Sequence, residues 1–219
     1  MKSFSALYCA VFQRLGLPLK ARDQIPARQL TAAEKKHGIK VPRALRDYYL
    51  VAGRERVLNH VFNRLVAPDE WEVHRRKLVF MVENQEVVVW GVSLSGRSTE
   101  DPAVFQAATV SDGLADWYQE QRRCSVFLTV MLHWQASFGG GLACTASAPA
   151  PPDLATALER DWKFAGEVNK MRAYGRDGQA VCVLEWRDIV RGPGLRAFAG
   201  ATTKAGLETI ANDLKLKWD

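Results

Sequence analysis

Two β-rich segments that resemble each other constrain the fold of this chain more than any other feature of its 219 residues. Shifting the sequence by 93 positions lays residues 77–117 on residues 170–210 without a gap, with 7 identities in 41 positions. The expected turns, Asn84-Gln85 and Asp177-Gly178, coincide in this alignment. We therefore predict a duplicated strand–turn–strand–strand–helix unit, to which the alternative is two unrelated meanders of ordinary pattern.

The first segment predicts a hairpin that is followed by a strand and a helix. Residues 78–83 and 87–94 are rich in β-branched and aromatic residues and flank a polar turn. Residues 103–107 make the third strand, and Asp112 then stands where the cap of a short helix carrying Trp117 is expected. The second segment repeats this order, with its hairpin, third strand and helix at residues 171–186, 195–199 and 207–214.

Helical patterns occupy much of the remaining chain. The apolar residues among positions 4–15 recur at helical spacing, so we interpret the start as an amphipathic helix and not as a signal peptide. Thr31 and Glu34 have the spacing of a capping box. Residues 126–138 are apolar on most faces, which predicts a buried helix with His133 as a hydrogen-bonded core histidine.

These elements predict an α+β fold whose mixed or mainly antiparallel sheet is flanked by helices. We expect residues 1–141 to form the core together with the N-terminal helices. Residues 142–153 contain three prolines and have the composition of a Pro/Ala-rich linker. Residues 154–219 have too few helices to cover a sheet of their own, so we expect them to be a C-terminal α/β extension that packs on the same core.

The net charge of +6 is concentrated near the N-terminus. Residues 1–60 carry 12 basic and 4 acidic groups, residues 61–123 carry 7 and 10, and residues 124–219 carry 11 and 10. The first segment is therefore at +8, the second at −3 and the third at +1. A solvated helix face accounts for the basic segment, and an anionic partner is the alternative.

The sequence contains no recognisable catalytic or metal site. None of its four histidines stands with another histidine, a cysteine or a carboxylate at a metal-ligand spacing. Its four cysteines are scattered without a C-x-x-C pair, which is typical of free thiols in a reducing compartment. No run of about 18 apolar residues is present to span a membrane. We predict a cytoplasmic protein with no enzymatic activity, no metal and no cofactor.

Several short pieces between residues 31 and 120 occur in an order and spacing that are typical of one family. They are Val41-Pro42 with Tyr48-Tyr49 and Ala52-Gly53, Leu65-Val66-Ala67-Pro68 with Glu70-Trp71, the hairpin from Leu78 to Val92, Asp101-Pro102-Ala103-Val104-Phe105, and Leu114-Ala115-Asp116-Trp117. In these pieces the chain resembles the SUKH superfamily, which includes fungal cell-wall regulators and bacterial immunity proteins. Its turn at Asn84-Gln85-Glu86 lacks the glycine or aspartate usual in the family, and residues from 121 onward match poorly.

The resemblance implies a non-catalytic domain that binds another protein. Its most specific form is an immunity protein that neutralises a bacterial toxin by covering the active site. Because negative charge concentrates in the region that carries the resemblance, we predict that an acidic surface there meets the toxin domain. The predicted partner-binding residues are Asp69, Glu70, Trp71, Glu72, Glu100 and Asp101, with Trp71 as the anchor.

Two other functions compete with this interpretation. An intracellular scaffold or regulator can use the same SUKH-like fold without any toxin partner. A nucleic-acid binder can use the basic segment of residues 1–60, although its basic residues lack the interleaved aromatic residues that stack bases.

Overall fold

A computed structural model of the chain, which describes residues 3–95, 100–188 and 192–219, has an α+β fold. The predicted fold class is confirmed, because helices accompany one sheet of seven strands and one of five, and the strand pairs are antiparallel. The chain divides into two compact units. Unit 1 comprises Met1–Cys9 and Leu19–Leu128, and unit 2 comprises Ala10–Pro18 and Thr129–Asp219.

Unit 1 begins with helices. The helices of the first sixty residues are α1 (Phe4–Arg14), α2 (Ala27–His37), α3 (Arg43–Ala52) and α4 (Val57–His60), and the first nine residues of the chain bring the start of α1 into unit 1. Within unit 1, Tyr8 of α1 donates a hydrogen bond of 3.1 Å from its hydroxyl to the Ala44 carbonyl and meets the Tyr48 ring edge to face. These buried contacts join the start of α1 to α3.

Seven strands form the sheet of unit 1. They are β1 (Arg64–Leu65), β2 (Glu72–His74), β3 (Lys77–Val82), β4 (Val88–Ser93), β5 (Val104–Val110), β6 (Gly113–Leu114) and β7 (Tyr118–Gln121). They are ordered β1-β3-β4-β5-β6, while β2 also pairs with β3 and β7 with β5. One face of this sheet is packed, because Phe80 of β3 and Trp90 of β4 both contact the Phe127 ring at centroid distances of 5.7 and 5.9 Å.

Unit 2 contains the second sheet. Its elements are the later part of α5 (Cys124–Ser137), then β8 (Cys144–Pro149), α6 (Leu154–Asp161), β9 (Lys163–Val168), β10 (Met171–Arg176), β11 (Gln179–Asp188), β12 (Gly192–Ala201) and α7 (Lys204–Leu214). The order of the strands in the sheet is β8-β12-β11-β10-β9. Both faces of this sheet are covered. Val181 and Ala199 lie in one core with Leu158 of α6 and Ile210 of α7, whereas Gly200 faces the Ala136 carbonyl of α5.

Three local predictions are wrong, each for a physical reason. Helix α2 begins at Ala27 after Pro26, so Thr31 is inside the helix, and the Glu34 carboxylate accepts from the Val41 amide at 3.1 Å instead of closing a capping box. The helix expected after Asp112 is absent because the backbone continues the sheet, with Leu114 paired to Thr109 in a tight hairpin. The first segment of the predicted duplication therefore lacks the expected helix.

The third correction concerns the linker. Residues 144–149 of the expected linker 142–153 form β8, which pairs along its whole length with β12. Prolines are compatible with this position because β8 is an edge strand, where a missing amide leaves no interior pairing unsatisfied. The main boundary between the two compact units falls between Leu128 and Thr129, whereas the predicted core ends at residue 141. The packing of residues 154–219 on the core of residues 1–141 stays a prediction.

Candidate functional site

The second face of the unit 1 sheet carries a groove with a volume of about 830 Å³, which we call the sheet groove. Val79, Val82 and Val89 form its apolar floor. Val79 and Val82 are three residues apart, a spacing that puts side chains on opposite faces of a regular strand. A bulge in β3 between Val79 and Met81 returns both valines to the same face, where Val82 pairs with Val89.

The rim of the sheet groove is mainly acidic. Glu70, Glu72 and Glu86 line it, and Arg64 and His74 are its basic members. Arg64 donates to the Glu70 carboxylate at 2.9 Å, and both side chains are about half exposed. Glu72 lies directly across from Val79 in the β2–β3 register, so an exposed carboxylate stands beside the apolar floor. An apolar floor with a charged rim is the usual composition of a protein-binding surface.

Trp117 covers the neighbouring part of the same face. Gly91 permits this, because a Cβ at that position would lie 2.8 Å from the indole Cη2. The indole Nε1 donates to His74 Nδ1 at 3.1 Å, so in its neutral form His74 carries its proton on Nε2. The Lys77 ammonium lies 4.4 Å from the Phe105 ring centroid and 5.8 Å from that of Trp117. These contacts give the sheet groove a fixed wall on the side of His74.

Glu70 and Glu72, two of the six predicted partner-binding residues, lie on the sheet groove. Asp69 is exposed beside them in the short 3-10 helix Pro68–Glu70, and its carbonyl accepts from the Lys36 ammonium at 3.0 Å. Trp71 is instead a core residue, only 2% exposed. Its indole donates to the Tyr49 hydroxyl at 3.1 Å, and burial raises the pKa of that hydroxyl. Trp71 therefore cannot be the expected anchor without unfolding of its surroundings.

Glu100 and Asp101 do not line the sheet groove. Glu100 is exposed and pairs with Arg43 at 3.2 Å. Asp101 accepts from the backbone amide of Ser125 at 2.7 Å and from its hydroxyl at 2.6 Å, at the first turn of α5. This carboxylate accepts from one amide that the helix leaves unpaired, so its role in the fold is that of a cap supplied from a distant part of the chain.

A second cavity in unit 1 gathers part of the basic segment. Its volume is about 680 Å³, and Lys40, Arg43, Arg46 and Arg76 line it together with Asp47 and Glu100. Arg46 is held by Glu34 at 3.5 Å. Within the described ranges Lys40 and Arg76 have no carboxylate at ion-pair distance. The lining has a formal charge of +2, since four cations face two carboxylates.

Metal ligands and buried titratable groups bear on catalytic chemistry in the described part of the chain. It contains no group of three or more His, Cys, Asp or Glu side chains that could hold a metal ion. His133 is buried, as predicted, with its Nδ1 2.8 Å from the Thr129 carbonyl, and burial lowers its pKa to about 4. Burial also raises the pKa of the Cys182 thiol to about 12, which keeps that sulfur protonated and unreactive. No helix of the described residues is long and apolar enough to cross a membrane.

Comparison with known proteins gives no relative: no family model, no curated protein sequence and no solved structure matches the chain. The SUKH resemblance consequently rests on the short sequence pieces alone. The sheet groove also includes residues that the sequence did not indicate as partner-binding, namely Arg64, Val66, His74, Val79, Val82, Glu86, Val89, Thr109, Gly113 and Leu114. The period-2 alternation of β3 and β4 indicates a two-faced sheet, but the bulge that collects the valines leaves no mark in the sequence.

Proposed function

We propose that the chain is a non-catalytic protein-binding domain, and specifically an immunity protein that neutralises a cognate bacterial toxin in the cytoplasm of the cell that makes it. The observation that carries the proposal is the sheet groove, an apolar floor of three valines with an acidic rim on a firmly packed sheet. Such a surface binds a protein with an apolar anchor and cationic surroundings without any chemistry of its own.

The charge of the groove supports a cationic partner. Glu70, Glu72 and Glu86 against Arg64 give a formal charge of −2 at the rim when His74 is neutral, although the whole chain is at +6. Toxins that act on nucleic acid present basic clefts, and a local acidic surface would steer such a cleft toward this face and slow its release. The SUKH resemblance supports the same function, because bacterial members of that superfamily commonly block toxins.

The proposal is tested by asking whether a toxin domain is encoded immediately upstream of the gene, and by producing that domain in a bacterium with and without the chain. We expect co-expression of the full chain to restore growth of a bacterium that produces this domain. Glu70→Lys with Glu72→Lys should weaken the complex at least about tenfold, or about 1.4 kcal/mol. Asp101 is left unchanged because its carboxylate caps α5.

The matched control is Glu185→Lys with Glu208→Lys, which changes the net charge equally through two exposed carboxylates of unit 2. We expect this variant to bind and protect as the wild type does. A toxin domain that remains lethal and unbound beside the wild-type chain contradicts the immunity function. Equal weakening by both double variants would instead assign the effect to overall charge.

A scaffold or regulator with the same groove is the first alternative, and it predicts a host protein partner and no upstream toxin. The second alternative, an anion or nucleic-acid binder, is favoured by one observation, the basic cavity with Lys40 and Arg76 unpaired within the described residues. Lys40→Gln with Arg76→Gln should then abolish salt-sensitive binding of a short single-stranded oligonucleotide. Arg28→Gln with Lys35→Gln, two exposed cations of α2, is the matched control.

A further inference from the structure

Several segments of unit 1 enclose the basic cavity, the space of about 680 Å³ that Lys40 and Arg76 help to line. Arg43 and Arg46 line it from the start of α3, one helical turn apart. Arg76 belongs to the tight turn between β2 and β3, and its carbonyl accepts from the Leu94 amide, just beyond β4, at 3.0 Å. The cavity is therefore built from residues that are distant in sequence and that the fold holds together.

The positive charge of the basic cavity is only partly neutralised. Arg43 and Arg46 each have a carboxylate partner. Lys40 and Arg76 are exposed, and among the described residues no carboxylate lies at ion-pair distance from either. The N-terminus of α3, a helix of ten residues, adds partial positive charge at the same place. A phosphate monoester carries between one and two negative charges at neutral pH, so it matches two free cations better than a carboxylate does.

The rest of the lining favours a ligand with hydroxyl groups. Asp47 is half-buried and has no cation at ion-pair distance within the described ranges, so its carboxylate is available to accept from hydroxyls. Ser93 and Ser95 also line the cavity, with their own hydroxyl oxygens 3.2 Å apart. None of the fourteen lining residues is aromatic, so a nucleobase would find no ring on which to stack. The volume is within the usual range for a small-molecule site.

We propose that the basic cavity binds a phosphorylated sugar. Lys40 and Arg76 bind its phosphate, and Asp47 and Ser93 bind its hydroxyl groups. A single-stranded nucleic acid shares the phosphate chemistry, but its bases would lie in a cavity whose described lining has no aromatic side chain.

This site goes beyond the proposed function and is independent of it. No described residue lines both the basic cavity and the sheet groove. Strand β2 separates the two, because Val73 lines the basic cavity whereas its neighbours Glu72 and His74 line the sheet groove. Successive side chains of a strand point to opposite faces, so a ligand in the basic cavity leaves the sheet groove accessible.

The test measures binding of small probes to the full chain by isothermal titration calorimetry. The probes are ribose 5-phosphate, ribose, inorganic phosphate, adenosine 5′-monophosphate and a short single-stranded oligonucleotide, and glucose 6-phosphate replaces ribose 5-phosphate in a second series. We expect a sugar phosphate to bind at least about tenfold more tightly than ribose or inorganic phosphate, because only it uses both parts of the lining. The nucleotide adds a base to the same ribose phosphate, and we expect no gain in affinity from that base.

Variants locate the ligand in the cavity. Lys40→Gln with Arg76→Gln should weaken sugar phosphate binding at least about tenfold, whereas Arg28→Gln with Lys35→Gln, which removes two exposed cations of α2, should leave it unchanged. Asp47→Ala should remove the preference for the sugar phosphate over inorganic phosphate, because inorganic phosphate does not use this carboxylate. Circular dichroism checks that each variant is folded.

Three results would overturn the proposal. The first is that neither sugar phosphate binds at millimolar concentration, or that inorganic phosphate binds as tightly as both. The second is that the nucleotide or the oligonucleotide binds about tenfold more tightly than ribose 5-phosphate, which would assign the cavity to nucleotides or nucleic acid. The third is equal weakening by both double variants, which would assign binding to overall charge. None of these results bears on the toxin experiment, so the two proposals fail separately.

Discussion

The meander β2–β5 of unit 1 and the meander β9–β12 of unit 2 have the same order of antiparallel strands with few residues in common. Each opens with a two-residue turn in which both residues are left-handed, Arg75-Arg76 in the first and Asn169-Lys170 in the second. Only Asn169 is of a type that favours this conformation. Strand pairing and the alternation of buried side chains therefore determine the path, and the turn residues accommodate it.

The two meanders part after the third strand, and one residue accounts for much of the difference. In the 93-position alignment Val110 corresponds to Thr203. Thr203 caps α7, because its hydroxyl accepts from the Gly206 amide at 3.0 Å. Valine has no acceptor to offer, and Val110 instead pairs with Gly113 and continues the sheet. The loss of one cap goes together with the replacement of a helix by a hairpin.

The largest effect that the comparison predicts concerns a fragment. Residues 154–219 contain the whole second meander but lack β8, which pairs with β12 and places Ala148 in the core of unit 2. We expect this fragment to be unfolded or aggregated, as judged by the absence of a cooperative thermal transition in circular dichroism. A fragment of residues 154–219 that melts cooperatively would show that the meander and its two helices suffice without β8 and α5.

Glycine substitutions compare the covered face with the half-open one. A Cβ at Gly200 would lie 2.2 Å from the Ala136 carbonyl oxygen, whereas at Gly91 it would lie 2.8 Å from the half-buried Trp117 ring and 3.1 Å from the Lys77 side chain. A backbone atom of a buried helix cannot yield, but an indole at the surface can. We expect Gly200→Ala to lower the free energy of unfolding by about 3 kcal/mol or more and Gly91→Ala by about 1 kcal/mol, measured by urea denaturation. Equal losses would mean that Trp117 is held as rigidly as α5.

Sequence reasoning was most successful where one period extends over a long segment. Helix α1, the two long hairpins and the buried helix α5 were all predicted, because each buries a continuous stripe or alternation of apolar residues. The predictions failed where a short segment can adopt either of two local structures. Residues 114–118 have helical spacing but too little length to outweigh pairing with β5, and residues 144–149 gain an edge position that their prolines tolerate.

The sequence predicted the candidate site less well than it predicted the fold. Glu70 and Glu72 were identified by local charge alone. Trp71 and Asp101 were expected beside them on the same acidic surface, but Trp71 is buried against Tyr49 and Asp101 caps α5, through residues 22 and 24 positions away. Long-range contacts of this kind decide whether a charged or aromatic side chain is available to a partner, and no local pattern records them.

The third prediction tests how firmly the covered face of unit 2 excludes charge. His133 packs against Gly175 of β10, and burial, assisted by the nearby Arg14, lowers its pKa to about 4, below about 6.5 in the unfolded chain. The folded protein favours the neutral form of His133. The contribution of this residue to stability is therefore fully present above about pH 6.5 and is lost as the pH falls toward 4. Over this window we expect about 3 kcal/mol less stability at acid pH from this group.

The measurement is urea denaturation at several pH values between 4 and 7, for the wild type and for His133→Gln. Other groups titrate in both proteins, so the difference between the two profiles isolates His133. The wild type should lose stability relative to the variant as the pH falls. Parallel profiles would show that the charged imidazole is tolerated beside β10, and that this face is less closed than its packing indicates.

The smallest effect concerns the paired turns and tests whether the two meanders respond alike. Both residues of a two-residue turn with positive φ are strained unless they are asparagine or glycine. Arg75→Asn with Arg76→Gly should therefore raise the free energy of unfolding by about 1 kcal/mol, and Lys170→Gly, which completes an Asn-Gly turn, by a similar amount. The lost ion pairs, Arg75–Asp116 and Lys170–Glu185, are exposed and contribute little.

Arg75→Lys with Arg76→Lys keeps the charge without the turn preference and should leave stability unchanged. A gain in only one hairpin, measured by thermal and urea unfolding, would show that the two turns share a conformation but not its energetic cost.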